Sequence, residues 1–168
     1  MNDFYRQLYE NLVQGIDECE KQHTDFRQHI ECCFHICEST NQLVDKQLAS
    51  ATFRSEEEEI IFFKHIRPKF SSLVEFYSII YRAELFLPEG QNAKMQFWKN
   101  ELQRAENFFD FNKEFYQYIK DGETFRDKEY FLRSSEESAG ANSLIAQITA
   151  RELYVELLKK KIGEEGKE

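Results

Sequence analysis

The sequence predicts an all-α fold, in which a single domain forms an antiparallel array of about five to six helices. Apolar residues recur at spacings of three and four along most of the chain, which is the period of a helix with one buried face. The 168 residues include only 6 Gly and 2 Pro, so few tight turns interrupt these stretches. A chain of this length buries a substantial core without disulfide or metal staples. We therefore treat residues 1–168 as one helical domain.

Two helical stretches are predicted before residue 50. Thr24 is a candidate N-cap for the second stretch, because its hydroxyl can accept a hydrogen bond from a free N–H of the first turn. No residue near His23 forces a break, so one long bent helix and two separate helices both remain open. The first stripe is Phe4, Leu8, Leu12, Ile16 and Cys19, widened by Tyr5, Tyr9 and Val13, and the second is Phe26, Ile30, Cys33, Phe34, Cys37, Val44 and Leu48.

A third helical region begins after Ser55, where Ser55 and Glu58 have the spacing of a capping box. The carboxylates of residues 56–59 suit a helix start, where the macrodipole favours negative charge. Pro68 lacks an N–H and predicts a kink or a restart near Arg67. Two apolar stripes on this region predict that it is central: Ile60, Phe63, Phe70, Val74, Tyr77 and Tyr81, and Phe62, Ile66, Leu73, Phe76, Ile80, Ala83 and Leu87.

The second half of the chain predicts a long helix over 95–119 after a connector at 87–90. Its seam is Met95, Trp98, Leu102, Ala105, Phe109, Asn112, Tyr116 and Ile119, with Phe108, Phe111, Phe115 and Tyr118 extending the apolar face. Lys120 and Gly122 mark its predicted end. A short helix over 124–133, a loop over 134–142 and a last helix over 144–162 follow. Lys159, Lys160 and Lys161 suit the C-terminal end of that helix.

The charge balance argues against several functions. The formal net charge is -9 and the pI is near 5.1, whereas phosphate binding needs clustered Lys and Arg, so we expect no direct nucleic-acid contact by this segment. Charges at positions 3, 6, 10, 17 and 18 leave no room for the apolar core of an export signal. No apolar run is long enough to span a membrane. We expect a soluble, cytoplasmic protein, and therefore no disulfides.

Cysteine and histidine residues crowd between positions 19 and 37. Soft sulfur and nitrogen ligands could form a tetrahedral zinc site if two helix faces met. No C-x-x-C or Cys-loop-His spacing is present, so we favour the interpretation that Cys33 and Cys37 are small core residues. The residues concerned are Cys19, His23, His29, Cys32, Cys33, His35 and Cys37.

Catalytic signatures are absent from the sequence. Glu20 and His23 have the Glu-x-x-His spacing of di-iron bundles, but no second such pair exists. Phosphate loops, dinucleotide fingerprints, G-x-S-x-G and H-E-x-x-H are not found. We predict no catalysis, no cofactor and no resident metal.

A basic group on the third helical region is the one functional patch that the sequence indicates. Lys64, Arg67 and Arg82 fall on about one helical face, with Lys69 nearby and Tyr77 and Tyr81 on the same element. Such a group could hold a phosphate, a carboxylate or an acidic partner segment. Ion pairing with Glu residues of neighbouring helices is the favoured alternative. The candidate partner-binding residues are Lys64, Arg67, Tyr77 and Arg82.

Three segments resemble the RteC family of regulators, which are encoded on bacterial conjugative transposons and linked to tetracycline-induced excision. They are EEEIIFFKHIRPKF at 57–70, FFDFNKEFYQYI at 108–119 and DKEYFLR at 127–133. The resemblance covers about 55–133, and the last helix more weakly. It implies a helical N-terminal domain, similar to the 14-3-3 helical array, followed by a winged-helix DNA-binding domain that activates excision genes.

The chain departs from that pattern because it ends at Glu168 with no recognition-helix candidate and no basic stripe. It is either an excised N-terminal domain or a naturally short relative, so DNA binding is not carried over to these residues. We expect a regulatory, oligomerising or partner-binding domain of an RteC-like transcriptional regulator. A stand-alone adaptor for an acidic or phosphorylated peptide is the alternative, and a zinc-stabilised helical protein is a weaker third.

Overall fold

The computed structural model describes residues 2–50, 53–62, 66–114, 117 and 135–165, and these residues form six helices and no strand. The predicted all-α fold is therefore confirmed. The helices are α1 (Asn2–Gln22), α2 (Phe26–Ser50), α3 (Glu56–Ile61), α4 (Arg67–Leu85), α5 (Gln91–Phe111) and α6 (Ser135–Glu165).

Helices α1 and α2 form an antiparallel hairpin, so the first two stretches are separate helices. Gly15 faces Ile36, where an added Cβ would lie 3.4 Å from the side chain, and one turn later Cys19 is bonded to Cys32 through a disulfide. The expectation of no disulfide is therefore wrong. It came from compartment and composition alone, whereas antiparallel packing places these two sulfurs side by side.

The break between α1 and α2 lies at residues 23–25. Helix α2 begins at Phe26, and the carbonyl of Asp25 accepts the N–H of His29 at 3.0 Å. Asp25, and not the predicted Thr24, is therefore the residue immediately before the first residue of α2. The buried face of α1 is Tyr5, Leu12 and Cys19, seven residues apart, while Phe4 and Val13 are 46% and 39% exposed.

The start of α3 matches its prediction. Ser55 is the N-cap, and its hydroxyl accepts the N–H of Glu58 at 3.2 Å. The Glu58 carboxylate accepts the N–H of Arg54 at 2.7 Å, one residue before the partner expected in a capping box. Phe62 and Ile66 have π-helical geometry, and residues 63–65 lie outside the described residues. Helix α4 begins at Arg67, with Pro68 in its first turn, where a missing N–H costs no helical hydrogen bond.

Helix α4 is central, as its two stripes predicted. It packs against α2 on one side and against α6 on another. Phe70 and Tyr77 from the first stripe are buried, as are Ile80 and Ala83 from the second. The ring of Tyr81 stacks on Phe34 of α2, with centroids 4.6 Å apart.

Helix α5 follows a connector that ends at Gly90, whose φ of 92° suits glycine because a side chain is strained there. The only tryptophan, Trp98, is 2% exposed, and Ala105 is 5% exposed on the same face. The predicted helix over 95–119 is interrupted, because α5 ends at Phe111 and Asn112 caps it by donating from Nδ2 to the carbonyl of Phe108 at 2.9 Å. Residues 113, 114 and 117 are again helical, and the other positions between 115 and 119 lie outside the described residues.

The side chain of Phe111 is 90% exposed, so this residue does not extend the apolar face as predicted. The predicted helix end at Lys120 and Gly122 and the predicted short helix over 124–133 lie outside the described residues.

The predicted loop over 134–142 is wrong, because the backbone is helical from Ser135 onward in α6. Further along, α6 packs on α4 and α5. Its buried residues are Ala146, Ile148, Ala150, Tyr154 and Leu158. Lys159, Lys160 and Lys161 precede the final turn, which runs to Glu165.

Among the described residues, no helix combines the length and the apolar character needed to cross a bilayer.

Candidate functional site: an arginine-lined cleft

The predicted basic group does not form one site. Arg67 is the first residue of α4 and Arg82 lies in its last turn. Fifteen residues at about 1.5 Å each separate them by roughly 22 Å along the axis. Lys64 lies outside the described residues. A shared helical face was therefore not enough to bring these cations together.

Arg67 forms an ion pair with an acidic residue of a neighbouring helix, which is the role that we favoured over ligand binding. Its side chain is 19% exposed, and Nη2 donates to a carboxylate oxygen of Asp45 on α2. Its Nη1 is buried without a hydrogen-bond partner. The guanidinium is thus turned toward the interior between α2 and α4, away from an external ligand.

Tyr77 and Lys69 are also separated from Arg82. The hydroxyl of Tyr77 is buried beside Cys33, and this burial raises the pKa of Tyr77. Lys69 is exposed at the other end of α4, with Nζ 5.5 Å from the centre of the Tyr9 ring. Of the four predicted partner-binding residues, only Arg82 reaches a described cleft.

That cleft lies among α4, α5 and α6 and has a volume of about 490 Å³. Each of the three helices contributes one arginine to it: Arg82, Arg104 and Arg151. We call this site the arginine cleft. Its other lining residues are Ile79, Ala83, Phe86, Phe97 and Glu101.

Arg151 is the most enclosed of the three arginines, with a side chain that is 23% exposed. Its guanidinium lies 4.2 Å from the centre of the Phe108 ring, and Nη1 donates to the carbonyl of Gln147 at 3.2 Å. Glu75 is 3.8 Å away. Burial lowers the pKa of Arg151; Glu75 opposes this, and the nearby charge of Arg82 adds to it. Arg151 is therefore held rigidly and lies within electrostatic reach of Arg82.

Glu101 is the one carboxylate among the described residues that line the cleft, and it is already engaged. It accepts the hydroxyl of Tyr154 at 2.9 Å, and Arg104 lies 3.4 Å from its other oxygen. Its side chain is 17% exposed, whereas that of Arg104 is 80% exposed. Burial, followed by the Glu101 charge, raises the pKa of Tyr154, so its hydroxyl keeps the proton that it donates. The hydrogen bond between Glu101 and Tyr154 links α5 to α6, and most of the Arg104 side chain remains in solvent.

Arg82 has most of its hydrogen-bonding capacity unused. Its Nε donates to the carbonyl of Ser78 on its own helix at 3.3 Å, and no carboxylate of the described residues forms an ion pair with it. A guanidinium presents five donors in a planar fork that matches a carboxylate or a phosphate. Arg82 and Arg104 thus present charge that an anionic group can engage, beside the 75% exposed ring of Phe86.

Arg104 and Arg151 were missed by the sequence reasoning. Neither belongs to a local motif, and each lies on a different helix from Arg82. Their convergence follows from the packing of α4, α5 and α6, which spacing along the chain does not reveal.

The cysteine and histidine region forms no metal-binding cluster among the described residues. Cys19 and Cys32 are joined, and Cys33 and Cys37 are free thiols within the core, as their interpretation as core residues predicted. Burial raises the pKa of Cys33 to about 11 and that of Cys37 to about 12. Both thiols therefore remain protonated at neutral pH.

The described part of the chain defines an all-α protein with a cationic cleft at one end of its central helix. Residues 61–143 match the family model described as RteC protein, and the chain belongs to the RteC family, which is linked to excision of conjugative transposons. The matched residues include Arg82 and Arg104. No curated protein and no solved structure matches the chain, so the likeness to the 14-3-3 array stays a prediction.

Proposed function

We propose that this chain is a regulatory domain of a transcriptional regulator of tetracycline-linked transposon excision, and that it works without catalysis by binding a protein partner. The convergence of Arg82, Arg104 and Arg151 in one cleft carries this proposal. Family membership supports the link to excision.

The chemistry of the arginine cleft indicates an acidic partner. Two of its arginines, Arg82 and Arg104, are exposed, while Ile79, Phe86 and Phe97 provide apolar lining. The combination suits a carboxylate or phosphate group that is flanked by an apolar side chain. In a protein of formal net charge -9, such a local excess of arginine is selective for acidic surfaces.

DNA contact is not part of the proposal for these residues. The acidic balance opposes it, and the family resemblance assigns it to a winged-helix domain outside this segment. We also propose a cytoplasmic location, which suits a regulator of gene expression. Disulfides are rare in that compartment, so the bond between Cys19 and Cys32 argues against this location.

The same cleft supports a second candidate function, a stand-alone adaptor for an acidic or phosphorylated peptide. The observation that favours it is the planar fork of Arg82, which no described carboxylate neutralises. The two functions differ in whether excision depends on the protein.

The test is the double variant Arg82→Glu/Arg104→Glu, introduced into a host that carries the transposon. We expect loss of excision, measured by amplification across the emptied chromosomal site after tetracycline exposure. The matched control is Lys46→Glu/Lys99→Glu, which makes the same charge change at exposed positions outside the cleft. Circular dichroism should show that both variants keep the helical content of the parent chain.

Normal excision in the cleft variant would contradict the proposed function. Loss of excision in both variants would also contradict it, because the effect would then follow total charge. If excision persists while an acidic probe peptide loses binding to the cleft variant, the adaptor function is supported instead.

A further inference from the structure

We propose that the arginine cleft accepts the acidic helix α3 of a second copy of this chain, an inference that rests on the proposed role of the cleft in partner binding.

Helix α3 presents acidic and apolar groups side by side. Glu56 and Glu57 are exposed at its start, and Ile61 is 44% exposed at its end. Glu57 and Ile61 are four residues apart and so share one face of the helix. Glu58 is held by the capping contacts, which fix the orientation of the turn. The segment is thus a preformed acidic surface with an aliphatic edge.

The cleft rim offers the complementary pair of properties. Arg82 and Arg104 are exposed on α4 and α5, and Phe86 and Leu85 beside them are 75% and 47% exposed. Carboxylates placed against these guanidinium groups would form charge-assisted hydrogen bonds, while Ile61 would cover apolar surface that solvent now meets. The two surfaces carry opposite charges, and each has exposed apolar area that the other can cover.

One molecule cannot make this contact within itself. Helix α3 lies just before the N-terminal end of α4, and the arginine cleft lies at the C-terminal end. The 19 residues of α4 hold the two ends roughly 28 Å apart. The partner surfaces therefore belong to different copies.

The two contacting surfaces are different parts of the chain, so each copy carries one of each. Two antiparallel copies can make both contacts about a two-fold axis, whereas one contact per pair builds rings or open chains. The formal net charge of -9 repels approaching copies, but at physiological ionic strength charges more than about 8 Å apart are largely screened. The local pairing of arginine and glutamate therefore decides whether the contact forms.

The experiment is sedimentation velocity on the full chain over a wide concentration range. The cleft variant is Arg82→Glu/Arg104→Glu, and the acidic-helix variant is Glu56→Lys/Glu57→Lys. We expect the parent chain to show a sedimentation coefficient that rises with concentration. Each variant alone should lose this rise, because like charges then face each other, and its dissociation constant should increase at least about tenfold.

Mixing the two variants is the decisive measurement. The reversed cleft of one variant then meets the reversed helix of the other, so association should return in the equimolar mixture. Lys46→Glu/Lys99→Glu is again the matched control and should associate like the parent chain. Helical circular dichroism must be unchanged in each sample.

A parent chain that sediments as one species at all concentrations overturns the inference, and so does a mixture that fails to associate. If the cleft variant loses excision while the parent chain is monomeric, partner binding stands and the second copy is excluded as the partner. If association behaves as expected but excision is unaffected, the proposed function fails while the self-contact is retained.

Discussion

At the residue scale, burial controls the chemistry of the cysteines. Cys33 and Cys37 lie one turn apart on α2 and are both fully buried. Their raised pKa values keep the sulfurs as thiols, and a thiol is a poor nucleophile. Cys19 and Cys32 have no thiol at all while they are bonded. None of the four cysteines therefore presents a reactive thiolate in the folded protein.

Alkylation should show this directly. Iodoacetamide at about pH 8 should modify no cysteine of the folded chain, because burial excludes the reagent and the thiolate form is scarce. In denaturant without reductant, the mass should increase by two adducts, and with reductant by four. Intact-mass spectrometry measures the number. Four adducts without reductant would contradict the disulfide, and adducts on the folded chain would contradict the burial of Cys33 and Cys37.

Glu84 is a buried carboxyl on α4, 9% exposed, and burial is the main reason that its pKa is raised. Lys161, Arg27 and Lys94 oppose this shift, and Asp25 adds to it. As the pH rises above about 4.5, the Glu84 carboxyl loses its proton at a lower pH in the unfolded chain than in the folded chain. The group therefore contributes less to the free energy of unfolding as pH rises through that window.

The variant Glu84→Gln should remove this dependence. Relative to the parent chain, its free energy of unfolding should increase as the pH is raised from about 4 to 7, since glutamine has no proton to lose. Urea titrations at several pH values measure the difference. Glu89→Gln, at an exposed position in the connector, serves as the control. A difference that falls with pH would contradict the direction of the Glu84 shift.

At the element scale, local signals account for the helices, while tertiary packing sets their boundaries and connections. The N-cap at Ser55 and the start of α4 beside Pro68 were predictable because each depends on backbone groups within a few residues. The end of α5 at Asn112 was not, because Asn112 continues the apolar spacing but acts through its side-chain amide. The disulfide was missed because it depends on how α1 packs on α2.

The cap of α3 gives a stability prediction. Ser55→Ala should lower the free energy of unfolding by about 1 kcal/mol, because the N–H of Glu58 loses its acceptor. Urea unfolding followed by far-ultraviolet circular dichroism measures the change. The control is Ser39→Ala at an exposed position inside α2, where alanine favours the helix and no loss is expected. Equal effects at the two serines would show that Ser55 does not act as a cap.

The bond between Cys19 and Cys32 gives a second prediction at this scale. It closes a loop with a sequence separation of 13, for which restriction of the unfolded chain is worth about 3 kcal/mol. Reduction of the parent chain should lower the midpoint of urea unfolding accordingly. Cys32→Ser should unfold near the reduced midpoint with or without reductant. A midpoint of urea unfolding that is the same for the parent chain with and without reductant would contradict the prediction.

At the scale of the whole molecule, α4 is the axis on which the other elements are arranged. Helix α2 covers one side and α6 another, and α5 also packs on α6. The acidic helix α3 and the arginine cleft lie at opposite ends of this axis. The all-α class could be predicted from periodicity, but the cleft could not, because its arginines come from three helices and no single stretch contains them.

The dependence of the core on α6 can be measured. Leu158 is fully buried, so Leu158→Ala should lower the free energy of unfolding by about 2–5 kcal/mol through lost burial and a residual cavity. Leu153→Ala on the same helix is the control, since that side chain is already 37% exposed and should cost much less. Thermal unfolding by circular dichroism compares them. Similar losses in both variants would place α6 differently from the arrangement described.

The position of Trp98 has an optical consequence. As the only tryptophan, it is the sole source of indole emission, and its 2% exposure predicts a short-wavelength maximum in the folded chain. Its ring lies 5.2 Å from that of Phe97, which lines the arginine cleft. A molecule that settles in the cleft and shifts Phe97 would change the intensity or wavelength of this emission. The protein therefore contains its own fluorescent reporter, and binding at the cleft can be followed without attaching a dye.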